Sequence, residues 1–158
     1  MDCPFCEPEQ ILEENELARV LASNPRLIFG HVLVVPRRHV EEPWELDDDE
    51  TAAIWNLVKK YQKLLVERVG GGCDVRENYR PFLAQGRLKV DHVHWHLIPR
   101  KDKDRIYLKT QIYERDLFRD LVDGELEELR RLLVNGELVG GSQRIFVDGT
   151  RRQEKAGD

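Results

Sequence analysis

The sequence predicts an α+β domain. Two apolar, β-branched runs, HVLVVP (31–36) and VDHVHWHLIP (90–99), read as strands. Between them Ala53, Leu57, Tyr61, Leu64 and Leu65 recur at helical spacing. The length of 158 residues, 41% of them hydrophobic, suits one ordinary domain with a single core.

The elements follow in order. Residues 1–16 are polar and carry two cysteines, and LARVLAS (17–23) reads as a strand. NPRLIFG (24–30) is a turn and short loop punctuated by Pro25 and Gly30. HVLVVP is stopped by Pro36, and RRHVEEPWEL leads into the helix. Asp47, Asp48 and Asp49 suit the helix start, where unpaired N–H groups favour acidic side chains, and GGG (70–72) ends it. CDVRENYRP enters a further strand, FLAQGRLK (82–89) is a loop or strand edge around Gly86, and the histidine-bearing strand covers 90–99. Past the charged KDKDRIYLKT, residues 114–134 are expected to be mostly helical with Gly124 as a break. GELVGGSQRIFVDG suggests a terminal hairpin through Gly140 and Gly141, and RRQEKAGD a frayed tail. The expected organisation is a main domain over 1–110, a helical and hairpin extension over 111–150, and a disordered tail over 151–158.

Charged residues make up 35% of the chain and the net charge is −5. That argues against holding long nucleic acid by general attraction, though not against a local positive pocket for a small phosphate ligand. The N-terminus has no basic start followed by an apolar run, and no apolar stretch approaches the roughly 20 residues that cross a bilayer. A cytoplasmic location without membrane contact is expected. Three cysteines, Cys3, Cys6 and Cys73, do not suit a disulfide framework.

DHVHWHLIPR (91–100) places His92, His94 and His96 at every second position. In a strand these would line one face, with Val93, Trp95 and Leu97 on the other, so the histidine face is expected to be the accessible one. Two chemistries suit three imidazoles in a row. They could hold zinc with an open position for water, which would make a zinc hydrolase. Alternatively one is a nucleophile while its neighbours bind phosphate oxygens. Cys3-Pro-Phe-Cys6 has the CxxC spacing of a zinc thiolate pair. A redox pair normally sits at a helix start in a βα unit, a pattern absent here; the remaining alternative to zinc is two reduced cysteines without a role. Cys73 has no inferred task.

HVHWHLIPR resembles the signature of the histidine triad (HIT) superfamily, with Val93, Trp95, Leu97 and Ile98 at its apolar positions. GHVLVVPRRH (30–39) resembles the family's Gly-His strand segment, and CPFC (3–6) the cysteine pair that opens many bacterial members. The resemblance covers roughly residues 1–100 and implies a HIT-like antiparallel sheet with a long helix, usually a symmetric homodimer. It implies an enzyme that cleaves nucleotides at the α-phosphate in two steps, the middle histidine, His94, forming a nucleotidyl-histidine. His96 would hold a non-bridging oxygen, His31 would lie near the reacting phosphate, and His92 would sit at the rim of this network.

By the same resemblance Ser23 and Asn24 contact ribose and base of a purine nucleotide. Leu27, Ile28 and Phe29 supply apolar cover, and Asn78 corresponds to a pocket asparagine. Asn24-Pro25 also reads as plain turn chemistry. Many members carry Gly-Gln-Ser/Thr-Val before the triad, where this chain has Arg87-Leu88-Lys89-Val90. Lys89 falls at the hydroxyl position, where it would neutralise a polyphosphate or protonate a leaving oxygen, or else point to solvent. That departure leaves open a nucleotide-binding regulatory protein with little turnover. Zinc-bearing bacterial members imply His39 and His92 as partners of Cys3 and Cys6 in a structural Cys₂His₂ zinc site. ELEELRRLLV is expected to have one packed and one solvated face, the packed one lying on the domain or extending a dimer contact.

Overall fold

The computed structural model describes residues 3–134, 146–147 and 150–151. Two compact units divide after Lys109. The first contains strands β1 (Ile11–Glu14), β2 (Ala18–Ala22) and β3 (Val32–Pro36), helix α1 (Asp48–Leu65), and strands β4 (Gly72–Glu77) and β5 (Trp95–Arg100). The five strands form one sheet in the order β1-β2-β3-β5-β4, every neighbouring pair antiparallel.

The sheet has two working faces. Ala18, Val20, Val32, Val34 and Leu97 point to one side and pack on Ile54, Leu57, Val58 and Leu65 of α1. Leu21, Leu33 and Val35 point to the other, where Phe5 of the N-terminal arm covers them. Strand β3 is therefore buried on both faces, which is why HVLVVP is continuously apolar rather than alternating.

Asp47 caps α1 with a reciprocal pair of bonds: its carboxylate accepts from Glu50 N (2.8 Å) and Glu50 accepts from Asp47 N (3.1 Å). Buried Glu50 also takes a bidentate bond from Arg38 (2.9 and 2.7 Å), which anchors the chain immediately before His39. That contact holds the Glu50 carboxyl below its ordinary range. After α1 the chain makes one wider helical turn over Val66–Gly70, and Gly71, at φ 87°, turns it into β4. Gly30 has φ 84°, and a Cβ there would meet Pro99 and Val69 at 3.0 Å, so glycine is required just before His31.

Three expectations change. β1 had no sequence signal, because Ile11-Leu12-Glu13-Glu14 does not alternate and forms a largely exposed edge. Glu13 ties it to α1 through Lys60 (2.6 Å) and Tyr61 (3.0 Å). The strand expected over 90–99 begins only at Trp95. Val93 N donates instead to Val40 O (2.7 Å), outside the sheet ladder, and residues 91–94 follow an irregular path. Residues 114–134 are less continuously helical than expected. Short helical turns end at Leu117, Gly124 stands at φ 83°, and a new helix runs over Glu125–Leu129 with a wider turn to Val134.

In the second unit Arg131 pairs with Glu128 (2.6 Å), and Phe146–Val147 pairs with Thr150–Arg151. The expected turn at Gly140 and Gly141 lies outside the described residues, as does most of the expected tail. No helix among the described residues is long and apolar enough to cross a membrane.

Candidate active site and metal centre

The Val93–Val40 backbone bond sets the flanking residues His92 and His39 side by side, their rings 5.0 Å apart. The N-terminal arm brings Cys3 and Cys6 to the same place, and Arg19 holds the arm by donating to Cys6 O (2.9 Å). One ligand atom from each of Cys3, Cys6, His39 and His92 lies within 4.8 Å of the others. Cys3 Sγ is 3.3 Å from His92 Nδ1, and Cys6 Sγ is 3.4 Å from His39 Nδ1.

The opposite ring nitrogens are already engaged. His92 Nε2–H donates to Pro36 O (3.1 Å), and His39 Nε2–H to Glu41 Oε1 (3.3 Å). Both imidazoles therefore turn an Nδ1 lone pair toward the sulfurs, the arrangement in which an outer partner orients a metal-binding histidine. Burial, with Cys3 alongside, pushes the Cys6 thiol up to about 11. The four residues fit a metal ion by donor set and orientation.

The histidine face is thus not open at His92. That side chain is only 1% exposed, closed over by the cysteine arm and Phe5, whose ring meets His92 and His94 edge-on at 5.8 and 5.2 Å. His92 adjoins the other triad members through its backbone: His94 Nδ1–H donates to His92 O (2.7 Å). That bond fixes the tautomer of His94 and leaves Nε2 with a free lone pair.

A second chain of bonds orders His31 and His96. Leu27 N–H donates to His31 Nδ1 (3.2 Å), so a neutral His31 carries its proton on Nε2. That Nε2–H faces His96 Nδ1 at 3.0 Å, which leaves His96 with Nε2–H as an outward donor. Burial lowers all three, His31 to about 4, His96 to about 3 and His94 in the same direction. For His31 and His96 the cationic Arg76 adds to the effect. At neutral pH the site is a set of neutral imidazoles, one presenting a lone pair and one a proton.

These rings border an open cleft of about 540 Å³ on the arm side of the sheet. Ser23, Asn24, Leu27 and Asn78 line it with His31, His94 and His96. Ser23 Oγ also donates to Pro25 O (2.8 Å), and Asn78 Oδ1 accepts from Arg80 (3.3 Å). Phe29 does not line the cleft and is 72% exposed. Ile28 is also outside it. Lys89 lies in a neighbouring, smaller depression, its ammonium bound to the Asp91 carboxylate. Cys73 packs against the core below the sheet, where burial raises its thiol.

Sequence reasoning missed Arg76. Its signal lay in strand pairing: it stands directly opposite His96 in the β4–β5 register, so both side chains emerge on the cleft face.

A HIT domain family model matches residues 6–103. The chain is 33% identical to the adenosine 5'-monophosphoramidase hnt1 of Schizosaccharomyces pombe over 113 residues, 66% of this chain and 78% of that one. It is 28% identical to the bifunctional bis(5'-adenosyl)-triphosphatase/adenylylsulfatase FHIT of Arabidopsis thaliana, over 78% of this chain and 73% of that one. A HIT family protein of Bacillus anthracis shares its fold at a TM-score of 0.64 and 20% identity, covering 87% of this chain and 98% of that one. The family match, the antiparallel sheet and the paired His31 and His94–His96 segments agree: the chain belongs to the HIT domain family.

Proposed function

We propose that the protein cleaves a purine nucleotide at its α-phosphate through a covalent nucleotidyl intermediate on His94. The observation that carries this reading is the 2.7 Å bond from His94 Nδ1–H to the His92 carbonyl, which leaves Nε2 as the nucleophile. In the first step the Nε2 lone pair forms a bond to phosphorus as the bond to the leaving group breaks. The leaving group takes the electron pair and then a proton. As phosphorus adds, the ring becomes cationic, and the Nδ1–H···O=C bond strengthens at the moment charge develops. His96 Nε2–H donates to a non-bridging oxygen, held in place by His31. In the second step water attacks phosphorus, the P–N bond breaks, the electron pair returns to Nε2, and the water proton is released. The relatives named above, a phosphoramidase and a triphosphatase, support a substrate that is either a nucleoside phosphoramidate or a dinucleoside polyphosphate.

Zinc among Cys3, Cys6, His39 and His92 belongs to the same proposal. Four protein ligands fill a tetrahedral shell, so the ion would be structural and would clamp the arm beside His94. A hydrolytic metal on the triad itself is disfavoured, because His92 Nδ1 faces Cys3 and His96 Nδ1 faces His31. A homodimer in the cytoplasm completes the reading. The half-exposed Trp55 of α1 is an apolar surface that suits a dimer, and light scattering of the purified protein checks it.

The test is release of nucleoside monophosphate from diadenosine polyphosphates, adenosine phosphoramidate and their guanosine counterparts, wild type beside His94→Ala. Release that collapses in the variant supports the nucleophile, and equal release from both removes it. No release from either favours a nucleotide-binding regulatory protein.

A further inference from the structure

On a chain of net charge −5, the cleft beside His94 and His96 contains three arginines and, among the described residues, no carboxylate. Arg26 comes from the loop before His31, Arg76 from β4, and Arg87 from the segment that replaces the family's Gly-Gln-Ser/Thr. All three are exposed, and none makes an ion pair among the described residues. Elsewhere in the first unit Arg19 pairs with Glu14, Arg38 with Glu50 and Arg100 with Asp104, while Arg68, Arg80 and Arg105 also form no ion pair among the described residues. What sets the three cleft arginines apart is that they line one space beside His94 and His96.

The 86–89 segment is built to present one of these charges. Gly86 and Lys89 pair across an antiparallel bridge (Gly86 N to Lys89 O 2.8 Å, Lys89 N to Gly86 O 3.3 Å). The bridge makes Arg87 and Leu88 the tip of a tight turn, and both line the cleft. Lys89, by contrast, has its charge consumed by Asp91. Arg76 faces the same space from the sheet floor, opposite His96, and its field is felt at both His31 and His96.

We infer that Arg26, Arg76 and Arg87 form a subsite for the leaving group, and that this leaving group is a polyphosphate rather than an amine. The inference rests on the reading of His94 as the nucleophile, since that places the leaving group opposite Nε2. A phosphoramidate presents one phosphate charge and departs as a neutral amine, which gives three unpaired guanidinium groups nothing to bind. A dinucleoside polyphosphate departs as a nucleotide carrying several phosphate charges, which planar guanidinium donors match in pairs.

The experiment has two arms. In the first, binding of inorganic tripolyphosphate is measured by calorimetry on wild type and on R76Q, R87Q and the double variant. Each charged contact is expected to weaken affinity about tenfold or more when removed, with a shallower salt dependence in the double variant. R76K should retain more affinity than R76Q. Tripolyphosphate affinity that is equal in wild type and the double variant overturns the inference, whatever the turnover. In the second arm the ratio of kcat/KM for diadenosine tetraphosphate to that for adenosine phosphoramidate is compared between wild type and the double variant. A fall in the ratio of about tenfold or more, expressed mainly in KM, is expected. An unchanged ratio overturns the inference while leaving the nucleophile intact. Loss of both substrates in His94→Ala but not in the arginine variants separates the two readings.

Discussion

Two groups of histidines lie a few ångströms apart and are prepared for opposite tasks. Around the cysteines, His39 and His92 give their Nε2–H protons to oxygen acceptors, Glu41 and the Pro36 carbonyl, and face the sulfurs with bare Nδ1 atoms. At the cleft, His94 gives its Nδ1–H to a backbone carbonyl and presents a bare Nε2, while His31 passes its proton toward His96. The residue type is the same in both groups. The second hydrogen-bond partner decides which nitrogen is free, and so what the ring can do. His92 shows the point most sharply. Its side chain joins the cluster of Cys3, Cys6 and His39, while its carbonyl sets the tautomer of His94.

The largest effect that would break this division is at His94. Replacement by alanine removes the only free Nε2 lone pair assigned to attack and is expected to cost about 10³-fold or more in single-turnover rate. His96→Ala removes the donor proposed for the phosphoryl oxygen and is expected to cost about 10²-fold in kcat. If His96 loses as much as His94, the separation of nucleophile and donor fails.

Protonation gives a third effect. Unfolded imidazoles bind protons near pH 6.5, whereas folded His31 and His96 do so only near 4 and 3. Between those values the unfolded chain binds more protons, so stability is complete above about 6.5 and falls as the pH drops toward 4. The loss is up to about 1.4 kcal/mol per group per pH unit. Urea unfolding between pH 7 and 4.5 checks this, and H31N combined with H96N should make the profile shallower, the depressed His92 and His94 still contributing.

The smallest effect lies at Glu41, the outer partner of His39 in the Cys3–Cys6–His39–His92 cluster. Glu41→Gln is expected to lower zinc affinity about tenfold, read by competition with a colorimetric chelator, with little change in the chemistry at His94.

Much of this was legible in the chain because local patterns carried it. Acidic residues Asp47 to Asp49 and the apolar spacing to Leu65 located α1, and Gly30-His31 with the alternating triad located the site. Long-range pairing was not legible. Arg76 enters the cleft only through its register with His96, and β1 exists through its ladder with β2, with Glu13 tying it to Lys60 across the fold. The alternation also misled in one respect. It suggested an exposed histidine face, yet the chain leaves the ladder at residues 91–94, and the arm buries His92. Lys89 looked available until Asp91, two residues on, took its charge.

The division of the histidines is tested most directly by long-range ¹⁵N–¹H correlation spectra of histidine-labelled protein at neutral pH, before and after one equivalent of zinc. The expected spectra show His94 protonated at Nδ1, with His31, His39, His92 and His96 protonated at Nε2. Zinc should shift the Nδ1 resonances of His39 and His92 alone. His94 protonated at Nε2, or zinc shifting His94 and His96 in place of His39 and His92, would contradict it.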